Sequence, residues 1–235
     1  MTENNSAFQP TKWTLVQQVK GHTTEAVDAL NELCTMYWRP LYVFARSFGR
    51  TMEDSEDVVQ GFMAKGIEKA LFSAADKNKG KMRTFLLTAF KRYLRDEHAK
   101  SVAIKRGEGK VDTTDIAAEE ERWGDSKAID PTTSFDKRWA LIVVEAAELQ
   151  LRKKYQEEGK LDLYDALSPS LTGDLDSGYQ EIADKLEISL SSVKVGVHRM
   201  RKRYGEMLRA EIAETITPDE DPDDELRYLI NTLAS

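Results

Sequence analysis

The stretch 179–203, YQEIADKLEISLSSVKVGVHRMRKR, predicts two helices joined by a very short turn. Ile182, Ala183 and Leu186 recur at helical spacing, so the first helix has an apolar stripe. Ser189 suits the N-cap of the second helix, because its hydroxyl can accept a hydrogen bond from one of the free amides there.

The second of these helices has two contrasting faces. The apolar face is formed by residues that recur at i, i+4, i+7 and i+11, namely Val193, Val197, Met200 and Tyr204. At about 100° per residue, the opposite face carries small and polar groups early and cations late: Ser191, Val195, His198, Arg199 and Lys202. Such a helix can place its first turns against base edges and its last turns against phosphates. The pattern therefore predicts a helix-turn-helix that binds duplex DNA.

The charge of the chain is unevenly distributed. The 235 residues carry a net charge of −7. Residues 111–136 hold eight acids and two bases, and residues 211–235 hold eight acids and one base. The remainder of the chain therefore carries a charge of +6. Because local positive patches set the attraction to phosphate, the acidic total does not argue against a nucleic-acid partner.

Several classes of protein find no support in the sequence. There is no run of eighteen apolar residues and no secretory signal, so we expect no membrane insertion and a cytoplasmic location. Cys34 is the only cysteine, which excludes a disulfide framework, and we interpret it as a core residue rather than a thiol sensor. The three histidines are far apart and no catalytic motif occurs, so we expect no enzyme, no metal site and no cofactor.

Helical periodicity without any strand or hairpin pattern predicts an all-α fold. We expect two helical domains, joined by a flexible acidic linker and followed by an acidic tail with a short helix. The predicted parts are an N-terminal extension (1–23), a helical bundle (24–106), the linker (107–135), the helix-turn-helix domain (136–212) and the tail (213–235).

The helices of the bundle can be placed approximately. A short helix at 11–20 precedes a long one that ends near Gly49, with a kink or break at Pro40. Thr51 and Asp54 resemble a capping box that opens a second helix running to about residue 73. The third helix spans about 82–103. The inward residues are expected to be Leu30, Leu33, Tyr37, Leu41, Phe44, Phe48, Val59, Phe62, Met63 and Ile67.

Two charged segments of the bundle are candidates for binding. Lys79–Lys110, here called the basic segment, holds ten bases, three acids and interleaved aromatic residues. Its bases would attract a phosphate backbone and its rings would accept unstacked bases, unless the rings are core and the cations a solvated face. The acidic cluster Glu53, Asp54, Glu56 and Asp57 either complements a helix dipole or forms a docking face for a basic partner.

The motifs, taken in order, resemble a known family. They are PTKWTLV, YWRPLYVFAR, EDSEDVVQGFM, RTFLLTAFKRYLRDEHAK, KRGEGK, FDKRWAL, SSVKVGVHRMRKRY and DDELRYLINTL. Together they cover nearly the whole chain and resemble RNA polymerase sigma factors of the extracytoplasmic-function type, in particular the subgroup abundant in planctomycetes and acidobacteria. Phe85 and Arg92 stand where many members of the wider class carry tryptophan and asparagine.

The resemblance implies a subunit that binds core RNA polymerase and directs transcription from chosen promoters. Residues 24–106 would correspond to sigma domain 2 and residues 136–212 to sigma domain 4. Polymerase would be bound by Asp54, Glu56, Asp57 and Gln60. The −10 region would be bound by Phe85, Lys91, Arg92, Tyr93, Arg95 and Lys100, with a flipped base captured by the loop that follows Lys100. The −35 element would be bound by Ser191, Ser192, Lys194, Val195, His198, Arg199 and Lys202. An anti-sigma factor or another regulator is a further partner that the resemblance allows.

Two other functions remain open at this point. The chain could be a stand-alone helix-turn-helix transcriptional regulator whose N-terminal helices form a sensor or dimerisation domain. It could also be a helical adaptor whose acidic segments bind basic partners. For the acidic tail, the sequence suggests either a solvated segment or one that folds back over the recognition helix or the basic segment and competes with phosphate.

Overall fold

The computed structural model describes residues 24–68, 71–107, 130–173 and 178–234, and the regular structure in these ranges is entirely helical. The all-α prediction is therefore confirmed. The helix expected at 11–20 and most of the predicted linker lie outside the described residues. The helices are α1 (Thr24–Arg46), α2 (Met52–Glu68), α3 (Met82–Gly107), α4 (Pro131–Glu157), α5 (Leu161–Leu167), α6 (Tyr179–Lys185), α7 (Leu190–Ala213) and α8 (Pro222–Ala234). Short 3₁₀ turns occupy Phe72–Ala74, Lys77–Lys79 and Ser168–Leu171.

Helix α1 runs through Pro40 as one helix, so of the expected kink or break the break does not occur. Proline removes one backbone hydrogen bond of a helix, but Pro40 is buried, and packing against the other helices holds the two halves together. The inward face of α1 is as expected at Leu33, Tyr37, Leu41 and Phe44, which are all buried. Gly49 follows the helix with a φ of 74°, the left-handed conformation that suits glycine.

Helix α2 begins at the predicted cap. The Asp54 amide donates to the Thr51 hydroxyl oxygen at 3.1 Å, and that hydroxyl donates to the Asp54 carboxylate at 2.8 Å. The helix ends at Glu68, five residues before the expected end, and the Leu71 amide closes back onto the Gly66 carbonyl at 2.7 Å. Ile67 is exposed rather than buried, because it lines an open groove between α1, α2 and α4.

Helix α4 belongs to two hydrophobic cores. Its first half packs with α1, α2 and α3, where the Trp139 and Tyr37 rings stack with centroids 5.2 Å apart. Its second half, with Leu151 and Tyr155, packs under α6 and α7. In the described ranges, the bundle and the helix-turn-helix region are thus packed together through one shared helix, and the expected division at 107–135 stays a prediction.

Helix α4 starts at Pro131, within the segment 107–135 that was expected to be the linker. Asp130 caps it by accepting a hydrogen bond from the Thr133 amide at 3.0 Å, and proline is favoured in a first helical turn. Phe135, which the sequence analysis assigned to the linker, is consequently a fully buried core residue.

The short helix expected in the tail is present as α8, which packs on α4 and α7. Leu229 joins the first core, together with Ile212 and Ile216 from the end of α7 and the turn after it. Ile230 and Leu233 of the same helix are exposed. Among the described helices, none is both long and apolar enough to span a membrane.

Candidate nucleic-acid interface

Helices α6 and α7 form the helix-turn-helix. Val193, Val197 and Met200 of α7 are buried in the second core, as their spacing predicts. Gly196 allows α7 to approach the end of α5 closely, because a Cβ atom there would lie 2.9 Å from a methyl carbon of Leu167. The buried side of α7 therefore fixes which residues its other side presents to solvent.

The turn between the two helices is a Schellman motif centred on Glu187. The Ile188 amide donates to the Ala183 carbonyl at 3.0 Å, and the Glu187 amide donates to the Asp184 carbonyl at 3.3 Å. Glu187 has a φ of 53°, a left-handed conformation that costs a residue with a Cβ about 1–2 kcal/mol.

Replacing Glu187 by glycine should stabilise the protein by about 0.5–1 kcal/mol, because glycine adopts this conformation without steric cost. Denaturant unfolding measures the change. Lys185→Gly is the matched control, since Lys185 is the last residue of α6 and glycine should destabilise it there by about 0.5–1 kcal/mol. Equal or lower stability of the Glu187→Gly variant would contradict the role of this turn.

Ser189 caps α7 as predicted. Its hydroxyl oxygen accepts a hydrogen bond from the Ser192 amide at 3.1 Å. The same hydroxyl lies 2.9 Å from the Ser191 hydroxyl and 2.7 Å from that of Ser192. These bonds hold the first turn of α7 in one conformation, with the Ser191 and Ser192 side chains exposed.

The outer side of α7 is accessible along the predicted face. All seven residues expected to contact the −35 element are exposed, and they are here called the recognition face: Ser191, Ser192, Lys194, Val195, His198, Arg199 and Lys202. Lys202 lies 4.0 Å from Glu206. In the part of the chain that the structure describes, neither Lys194 nor Arg199 has an ion-pair partner. These two cations are therefore available to an external anion.

Two other cations of α7 have structural roles. Arg201 donates to the Ser170 carbonyl at 3.0 Å and so ties α7 to the turn after α5. Arg203 lies 3.1 Å from Glu158 and covers the Tyr155 ring at 5.5 Å. The basic stretch of α7 thus divides into a solvent-facing set and a set that holds the helix in place.

A second accessible surface lies on α3. A groove of about 760 Å³ runs between α2, the loop at 71–81 and α3, and is here called the aromatic groove. Half-buried Phe85 and Tyr93 line it, with Arg92 exposed beside them and Lys65 5.1 Å from the Tyr93 ring. Gly61 lets Tyr93 lie directly on α2, because a Cβ atom there would come within 2.5 Å of the Tyr93 hydroxyl.

The other residues expected at the −10 region are not brought to this groove. Lys91 donates to the Thr132 hydroxyl at 3.1 Å and lies 5.4 Å from the Phe44 ring. Arg95 is exposed away from the groove lining. Lys100 donates to Glu97 at 2.7 Å, a bond that lowers the pKa of Glu97 and raises that of Lys100.

The loop expected after Lys100 lies outside the described residues, because helix α3 continues to Gly107 and the described residues resume at 130. The described loop closest to the aromatic side chains is the one at 71–81, which precedes α3.

The acidic face expected to bind polymerase is accessible. Asp54, Asp57 and Gln60 are exposed and Glu56 is half-buried. Gln60 also lines a groove of about 800 Å³ between α1, α2 and α4. Cys34 lies in this groove, and burial raises the pKa of its thiol. No cluster of metal-ligating side chains occurs among the described residues.

Sequence reasoning did not identify a partly buried ion cluster that joins α3, α4 and the tail. It consists of Lys81, Arg83, Asp136, Glu220 and Glu225, here called the ion cluster. Arg83 binds the Glu225 carboxylate and lies 3.3 Å from Asp136. Its side chain is 7% exposed and that of Glu225 is 3% exposed.

The electrostatics of the ion cluster favour its charged form. Burial by itself lowers the pKa of Arg83, but Glu225 and Asp136 outweigh burial and raise it. The Tyr228 hydroxyl donates to Asp136 at 2.5 Å, and the Tyr228 ring lies 5.5 Å from the Arg83 guanidinium. One feature of the sequence indicated this contact, namely the opposite charges of the tail and the basic segment. In the structure, the tail folds back onto the start of the basic segment, where Glu225 contacts Lys81 and Arg83.

Comparison of the chain with protein-family models, with curated proteins and with solved structures found no match. The features that bear on the function of the chain are the recognition face, the aromatic groove and the acidic face of α2.

Proposed function

We propose that this chain is a sigma factor of the extracytoplasmic-function type, which binds core RNA polymerase and directs it to promoters through their −35 and −10 elements. The single observation that carries the proposal is the helix-turn-helix whose recognition face consists entirely of exposed residues. The aromatic groove beside the basic segment supports it, because a promoter-opening subunit needs a surface for unpaired DNA as well as one for duplex DNA.

The recognition face is suited to a major groove. Ser191, Ser192 and Val195 occupy the first turns of α7 and would contact base edges, where Val195, 46% exposed, offers an apolar surface to a thymine methyl group. Arg199, one turn later, would bind a guanine through two hydrogen bonds. Lys202 would contact a phosphate and position the helix.

The aromatic groove is suited to an unstacked base. Phe85 and Tyr93 provide ring surfaces, and stacking of a base on an aromatic side chain contributes about 1–3 kcal/mol. Arg92 is placed to contact the adjoining phosphate. In this proposal the polymerase supplies the chemistry, and the chain supplies the choice of promoter and a surface that holds the separated strand.

The exposed acids of α2 are proposed to bind a basic surface of core polymerase. Asp54 and Asp57 place two negative charges on one accessible side of this helix, and Gln60 lies one turn after Asp57. Polymerase and promoter DNA are thus the proposed partners, and an anti-sigma factor or other regulator is a further one.

Transcription from a promoter library tests the proposal. Purified chain and core polymerase should give promoter-dependent transcripts that core polymerase alone does not give. The absence of such transcripts from every template would refute the proposed function.

One observation favours the stand-alone regulator as a second candidate. Tyr228, Ile230 and Leu233 are exposed on α8, and a dimerisation surface would need such apolar side chains. A dimer that binds a palindromic site without polymerase would support this candidate. A monomer that requires polymerase for promoter-specific binding would support the sigma factor.

A further inference from the structure

We propose that Lys81 is a phosphate-binding residue of the aromatic groove and that Glu220 competes with nucleic acid for it. This inference rests on the proposed function, because the ligand of the groove is taken to be single-stranded promoter DNA. It assigns a phosphate-binding role to Lys81. It also attributes the competition between the acidic tail and nucleic acid to one carboxylate, that of Glu220.

Lys81 belongs to both the groove and the ion cluster. It lines the aromatic groove together with Phe85 and Arg92. Its ammonium group lies 3.0 Å from Glu220 and 2.6 Å from Glu225. The side chain is 22% exposed, so solvent and an external anion reach it. A lysine in this position would extend the cationic rim formed by Arg92 and Lys65.

The two carboxylates beside Lys81 are held very differently. Glu225 is buried and also forms an ion pair with Arg83. Moving Glu225 away from Lys81 would therefore deprive the buried Arg83 guanidinium of this partner, at a high cost in free energy. Glu220 is 35% exposed and lies in the turn before α8. It is the partner of Lys81 that a ligand can replace without disturbing the core.

Glu220 is nevertheless aimed at Lys81. The Thr217 amide and hydroxyl donate to one carboxylate oxygen at 2.9 and 3.0 Å, which leaves the other oxygen to face the ammonium group. Burial acts to raise the pKa of Glu220, but the bonds from Thr217 and Lys81 outweigh it and lower the pKa. The carboxylate is therefore ionised at neutral pH.

The charge balance of the ion cluster explains the competition. It contains two cations and three carboxylates and thus has a net charge of −1. A phosphate that approaches Lys81 meets this excess negative charge first. Neutralising Glu220 removes this net negative charge. One hydrogen-bond donor of the Lys81 ammonium group can then bind a phosphate oxygen instead of Glu220.

Binding of a fluorescent single-stranded oligonucleotide to the full-length chain tests the inference. Glu220→Gln keeps the hydrogen-bond acceptor for Thr217 but removes the charge. Asp219→Asn is the matched control, since Asp219 is exposed and changes the tail charge equally without contacting Lys81. Each variant is also unfolded with denaturant, to show that its fold is intact.

At low salt, Glu220→Gln should bind about two- to fivefold more tightly than Asp219→Asn, the range expected for a partly exposed ion pair. The slope of log affinity against log salt should steepen by about 0.7, as for one added phosphate contact. The double variant Glu220→Gln, Lys81→Gln should lose the gain.

Equal binding by Glu220→Gln and Asp219→Asn would overturn the inference, as would a gain that persists without Lys81. The transcription test judges the proposed function separately. Promoter-dependent transcripts without a Glu220 effect refute only the competition. A Glu220 effect without such transcripts supports a nucleic-acid ligand for Lys81 and refutes only the promoter role.

Discussion

Replacing Glu225 by glutamine should lower the free energy of unfolding by about 3 kcal/mol. Removal of one partner from a buried ion pair typically costs about 3–5 kcal/mol, because the remaining charge stays buried without full compensation. Arg83 keeps Asp136 as a partner, which places the expected loss at the lower end of that range. The effect should appear as a lower midpoint in denaturant unfolding followed by circular dichroism.

Two comparisons separate this effect from a general change in charge. Asp224→Asn alters the neighbouring residue by the same charge, but Asp224 is exposed, so its loss should stay below about 1 kcal/mol. The double variant Arg83→Met, Glu225→Gln should be less destabilised than the sum of the single variants, because no buried cation is left. Similar losses for Glu225→Gln and Asp224→Asn would show that the ion cluster does not support the fold.

Replacing Arg199 by alanine should weaken binding to the cognate duplex by about 10- to 100-fold, because a bidentate contact to guanine contributes about 1–3 kcal/mol of discrimination. The loss of sequence discrimination should be confined to one base-pair position, at which the variant no longer distinguishes guanine from the other bases. Competition binding of polymerase holoenzyme to a set of singly altered −35 sequences measures both effects.

Lys202 and Arg227 provide the controls for Arg199. Lys202→Ala should weaken binding equally on all sequences and reduce the salt slope by about 0.9, as expected for a phosphate contact. Arg227 is exposed on α8, away from the recognition face, and its replacement should leave binding unchanged. If Arg199→Ala behaved like Lys202→Ala, α7 would not contact bases through this residue.

The helix-turn-helix could be predicted because its determinants are local. The buried side of α7 follows from the spacing of Val193, Val197 and Met200, and its start follows from the hydroxyl of Ser189. Each of these signals lies within a few residues of the structure that it specifies. Helical phase then places the recognition face on the opposite side.

The surface proposed for the −10 region could be predicted only in part. Phe85 and Arg92 are separated by seven residues, about two helical turns, and share the side of α3 that faces the aromatic groove. Lys91 is one residue away from Arg92 and therefore points about 100° from it, toward Thr132 of α4. The number of basic residues in the basic segment therefore did not show which of them face the aromatic groove and which face α4.

The long-range contacts were beyond sequence reasoning. Acidic composition suggested that Phe135 lay in a linker, but a cap at Asp130 starts helix α4 before it, and Phe135 packs in the first core. Fold-back of the tail over the basic segment was one of the possibilities that the sequence left open, yet nothing local showed that Glu225 would be buried on Arg83. Only the packing of α8 against α4 and α7 brings that carboxylate into place.

The separation of Arg83 and Glu225 by 142 positions has a consequence for translation. At about 5–20 residues per second, the ribosome adds Glu225 roughly 7–28 s after Arg83. During that interval a nascent chain has, at most, Asp136 to neutralise the guanidinium. The N-terminal bundle is therefore expected to reach its final packing only after α8 has been synthesised. If the ribosome stalled before α8, the incompletely packed bundle would remain accessible to proteases and chaperones.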